Sequence, residues 1–89
     1  MGVEEQSGIH LTIYPNPISN VFSVAYETEQ AADIRAELLT LDGKRIDAQT
    51  SVNTMNGELT FDVSNLSSGI YLLNMNVSGK LISKKIVKE

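Results

Sequence analysis

The stretch "IYLLNMNVSGKLISKKIVKE", residues 70–89, sets two extended segments on either side of Ser78-Gly79. The first, "IYLLNMNV", is the most strongly apolar run in the chain. Ser-Gly is a pair that tight hairpins accept, so the segment after it reads as the returning strand. Moving back along the chain, the dominant period is two, the mark of half-buried strands. "ELTFDV" (58–63) puts Leu59, Phe61 and Val63 on one face, and "ADIRAELLTL" (32–41) does the same with Ile34, Ala36 and Leu38. "VFSVAY" (21–26) sets Phe22, Val24 and Tyr26 together, and Ile9, Leu11 and Ile13 alternate in the first candidate strand.

Between these runs lie the breaks. Asp42-Gly43 is a pair that favours positive φ and predicts a tight hairpin. The strand after it, "KRIDAQT" (44–50), is weakly apolar, as an edge strand can be. "ETEQA" (27–31) reads as a polar interruption, "SVNTMNG" (51–57) as a loop and "SNLSSG" (64–69) as a turn cluster. Residues 29–41 carry good helix formers, but their alternation and the hairpin signal that follows favour strand. The count is about seven strands at short spacing, which predicts an all-β antiparallel sandwich.

"LTIYPNP" (11–17) is the sharpest break. Pro15 and Pro17 have no N–H to give a ladder, and each pushes the residue before it towards extended geometry. One strand must end here and the chain must be redirected.

Composition excludes several functions. Eighty-nine residues suit one domain, and with no cysteine there is neither a disulfide nor a thiolate site. The formal charge of −4 argues against a general nucleic-acid partner. No apolar run approaches the roughly 20 residues of a spanning helix. "MGVEEQSG" is acidic where a targeting segment would be basic. Met1-Gly2 reads as an expression start and "VEEQSG" as the end of a linker, so the chain is expected to be a piece of a longer protein.

Chemistry is equally sparse. His10, the one histidine, has no sequence neighbour to orient it and reads as a strand residue rather than a base or ligand. There is no nucleophile elbow, phosphate loop or zinc-binding histidine pair, and the acids lack calcium-loop spacing. The two N-x-S triplets, at Asn65 and Asn76, are short enough to arise by chance. Tyr14, Phe22, Tyr26, Phe61 and Tyr71 fall within strand patterns and read as core, not as a sugar platform. The expectation is no enzyme, no cofactor and no metal.

Charge is unevenly spread. Residues 1–62 hold ten acidic and three basic side chains, while residues 63–89 hold one acid and four lysines: Lys80, Lys84, Lys85 and Lys88. Lysines on a terminal strand guard it against edge-to-edge aggregation; on their own they favour that reading over a recognition tail.

Taken in order, "YPNP", "LDGK", "LSSGIYLLNM" and "GKLISKKIVKE" form a pattern over residues 11–89. It resembles the C-terminal sorting domain of proteins exported by the type IX secretion system of Bacteroidota. Leu41, before the central turn, departs from the usual residue there. The resemblance implies a seven-stranded immunoglobulin-like β-sandwich over residues 9–89, with residues 1–8 as expression start and linker. It implies a sorting signal at Pro15, Asn16 and Pro17, at Asp42, Gly43 and Lys44, at Gly69 and Tyr71, and at Lys84, Lys85, Ile86, Val87 and Lys88. The lysine end thereby becomes part of the signal.

The partners it implies are an N-terminal cargo, an outer-membrane translocon and a sortase-like peptidase that cuts in the linker. The protein would be secreted or held at the cell surface. The unpaired edges of a sandwich add an expectation of weak self-association. Two rivals stand beside this reading, an accessory carbohydrate-binding module and an adhesion or spacer module.

Overall fold

The computed structural model describes residues 9–15 and 17–89, together with the backbone of residues 2–6. Six strands run in order: β1 (Gly2–Gln6), β2 (Ile9–Tyr14), β3 (Val21–Leu39), β4 (Arg45–Asp62), β5 (Gly69–Val77) and β6 (Lys80–Lys88). They join into one antiparallel sheet in the order β1-β2-β3-β5-β6, with β4 along the other side of β3. The fold is all-β, as the period-two pattern predicts.

β3 organises the sheet. Its first part, from Val21 to Thr28, lies between β2 and the end of β4. Its last part, from Ile34 to Leu39, lies between β5 and the start of β4. The sheet curls about this shared strand, and the inward faces of both parts feed a single core. β2 supplies Ile9, Leu11 and Ile13, and β3 supplies Phe22, Val24, Ile34, Ala36 and Leu38. Leu59 and Phe61 of β4, Leu73, Met75 and Val77 of β5, and Ile82 and Ile86 of β6 join it, with Tyr26 of β3 and, from the connections, Ile18 and Val63. Phe22 and Phe61 face each other across the β3–β4 pair and stack with centroids 5.1 Å apart.

The structure corrects two expected breaks. "ETEQA" and "SVNTMNG" do not separate strands; they lie inside β3 and β4, which are continuous. The seven expected segments therefore run together in two places. The polar composition has a different cause: the β3–β4 register slips between Glu27 and Ala32 and again between Ala32 and Ile34. A bulge leaves ladder groups unpaired, and nearby polar side chains take them up. The Thr28 hydroxyl donates to the Gln30 carbonyl at 2.6 Å, and the Asn53 N–H donates to the Asp33 carboxylate at 3.0 Å. Asn53 itself takes a positive φ of 53°.

The two hairpin signals also divide. Ser78-Gly79 is a true two-residue turn, both residues at positive φ, between paired Val77 and Lys80. Asp42-Gly43 instead sits inside a longer connection from Thr40 to Lys44, closed by Thr40 N–H to the Lys44 carbonyl at 2.9 Å.

The stacked pair at the middle of the core gives a stability test. Phe61→Ala should cost about 3–5 kcal/mol, by lost burial and the cavity left behind. Urea unfolding should show a midpoint lowered accordingly; a midpoint near that of the parent would show that the pair is dispensable.

Candidate functional site

The two prolines turn the chain out of β2. Both are exposed, and the Tyr14–Pro15 peptide bond is cis. Asn16 lies outside the described residues. Directly after them the chain does something the sequence reading does not anticipate: Ile18 inserts beside the end of β6. It forms a parallel bridge to Lys88, donating its N–H to the Val87 carbonyl at 3.0 Å and accepting the Glu89 N–H at 2.8 Å. Its side chain is fully buried in the core. Two residues on, the Asn20 carbonyl accepts the Val63 N–H at 2.8 Å, tying the same segment to the end of β4.

β6 brings other motif residues to this end. Gly69 pairs with Lys88, and Tyr71 with Ile86. Gly69 has a φ of +153° with open space around it, so the backbone conformation, not crowding, asks for glycine. Tyr71 is half-buried and donates its hydroxyl to the Ser67 carbonyl at 2.5 Å. Ile86 is buried in the core, Val87 is exposed on the opposite face, and Lys84 and Lys88 are half-buried beside Lys85, which is exposed.

The central turn sits at the same end of the sheet, because Leu39, just before it, pairs with Leu72, three residues after Gly69. Thr40 organises the turn. Its hydroxyl donates to the Asp42 carboxylate and accepts the Lys44 N–H at 3.0 Å. The Thr40 hydroxyl, foremost among the causes, holds the Asp42 carboxyl below its ordinary value of 3.8. Gly43 supplies positive φ (94°) and Lys44 is exposed.

Four motifs far apart in sequence thus gather at one end of the molecule, with β6 passing through the group. Sequence reasoning missed Ile18 and Thr40. The signal for Ile18 was available: it is the first apolar residue after the prolines, among polar neighbours. The rest of the surface offers little chemistry. His10 is exposed on the outer face of β2, opposite Glu27. Among the described residues no cluster of histidine and carboxylate side chains could hold a metal.

A family model described as the secretion system C-terminal sorting domain matches residues 12–89. The chain belongs to this family of type IX secretion sorting domains. A comparison with curated proteins gives no match. Membership means that the domain is attached to a cargo, is recognised by the secretion system, and goes with export through the outer membrane to the cell surface or beyond.

Two measurements check the geometry. Gly69→Val should destabilise by about 1 kcal/mol or more through backbone strain alone, read as a lower melting midpoint. For Asp42, the lowered pKa means the ionised form supports the turn; that support is present above its ordinary value and lost as pH falls through the folded one. Thr40→Val should move the Asp42 titration, followed by NMR, up towards 3.8.

Proposed function

We propose that this domain is the address by which the type IX translocon takes a larger cargo across the outer membrane, and that its last strand is the part read. The observation that carries the reading is the pair of main-chain bonds from Ile18 to Val87 and Glu89, which fixes the end of β6 in one shape. Around it stand Pro15, Pro17, Gly69, Tyr71, Ile86, Val87 and Lys88, while Lys84 and Lys85 continue along the same strand. The domain itself performs no reaction. The linker to the cargo lies within residues 1–8, of which Gly2–Gln6 pair with β2 as β1, and a sortase-like peptidase removes the domain by cutting in the linker when the cargo is attached to the surface.

The same reading takes the curled sheet as an immunoglobulin-like sandwich. Divided at the bulges, β3 and β4 each serve two layers, and with β2, β5 and β6 the segments number seven. The Tyr71 hydroxyl, which reaches back to the Ser67 carbonyl, supports this: immunoglobulin-type sandwiches use a tyrosine in this manner at a strand corner. A carbohydrate-binding role finds less support. Phe22, Tyr26 and Phe61 are buried and Tyr71 is tied to Ser67; Tyr14, expected in the core, is exposed at the end of β2 where the prolines turn the chain, and a single ring makes no platform.

The test fuses the chain to a periplasmic reporter in a type IX secreting host. The intact fusion should reach the surface. Replacing Lys84, Lys85 and Lys88 with glutamine should leave the reporter in the periplasm with the melting midpoint of the domain unchanged. Equal export of this folded variant would show that the lysines only guard the edge.

A further inference from the structure

β6 is the outermost strand on its side of the sheet, and its free edge is divided in two. The N–H and C=O of one strand residue point to the same side, and the side alternates residue by residue. Val87 and Glu89 turn these groups outward to Ile18, so Leu81, Ser83 and Lys85 turn theirs outward as well. Ile18 covers the end of the edge. From Leu81 to Lys85 the edge has no main-chain neighbour among the described residues.

The opposite edge of the sheet is protected differently. The Gln49 side-chain amide caps the Thr60 carbonyl, and the bulge at Asn53 breaks the flatness of β4. β6 has no bulge, its register with β5 running unbroken from Lys80 to Lys88, and lysines are what guard its outer side. Its side chains also show a preference for one kind of partner. Lys80 and Lys85 are exposed, and the nearest apolar side chains, Leu81 (64%), Val87 (46%) and Ile70 (45%), stand open on the outer face. Ser83 faces Asn74 across the pair, their side chains 2.7 Å apart.

We infer that this edge is a strand-addition site for an extended, acidic segment of the recognising protein, which pairs its backbone with Leu81, Ser83 and Lys85. The inference rests on the sorting role proposed above and adds to it the surface and the chemistry of the partner. Ile18 shows that this edge accepts a further strand, since it already holds one residue in parallel register at Lys88. Main-chain pairing supplies affinity in such complexes, and side chains supply selection. Here the lysines select carboxylates and exclude basic segments, and the apolar side chains take alternate apolar residues.

The test uses the same reporter fusion. Ser83→Pro deletes one outward N–H, a change edge strands tolerate, and Ser83→Thr is its control. Ser83→Pro should abolish export with its melting midpoint near that of Ser83→Thr, which exports normally. A second variant, Lys80→Glu with Lys85→Glu, keeps the backbone intact and decides the matter should the proline unfold the domain; it should export far less than the parent. If folded Ser83→Pro or the double glutamate variant exports as the intact fusion does, strand addition by an acidic partner is overturned, while the sorting role stands on the intact fusion. Retention of the intact fusion itself overturns both.

Discussion

Two main-chain hydrogen bonds at Ile18 hold the rest of the structure in its shape. β2 and β6 lie far apart in the order of the sheet, joined through β3 and β5. The short segment after the prolines reconnects them at the end of β6. Buried backbone groups have to be satisfied, and here the satisfaction is mutual: Ile18 gives its N–H to Val87 and takes that of Glu89. The prolines contribute by what they lack. They turn the chain out of β2 without adding donors that would prolong the ladder.

The single core follows from β3. A flat strand of this length would expose one end of its apolar face to solvent. Because β3 bulges between Glu27 and Ile34, Phe22 and Leu38 both point into the core, although they lie on the two sides of the irregularity. Thr28, Asp33 and Ser78 carry the cost of the bulge: Thr28 and Asp33 as above, and Ser78 by giving its N–H to the Asp33 carbonyl at 3.0 Å. Gly57 completes the accommodation. It lies opposite Tyr26, and a Cβ there would meet the Tyr26 hydroxyl at 2.7 Å.

Much of this was legible in the sequence. The alternation named the buried faces, and Ser78-Gly79 named its hairpin, because both depend on residues close in sequence. The lysine end and the order of the motifs pointed to a sorting domain. What could not be read was long-range. A polar run inside a bulged strand looks like a loop, since its side chains bond to backbone either way. Asp42-Gly43 looked like a complete turn because the part played by Thr40 comes from its hydroxyl, not from any turn preference. The role of Ile18 depends on residues some seventy positions away.

That separation fixes an order of events. The β3–β4 and β5–β6 hairpins are made of neighbours and need only their own segments. The contact at Ile18 needs Val87 to Glu89, so it forms last in a chain that emerges N-terminus first. Until then a large apolar side chain has no cover and the end of β2 has no anchor. Contacts so distant are slow to form, and chains awaiting them are prone to bind other surfaces. The closed domain therefore reports that every strand from β2 to β6 is in place, with the segment from Val87 to Glu89 as the latch.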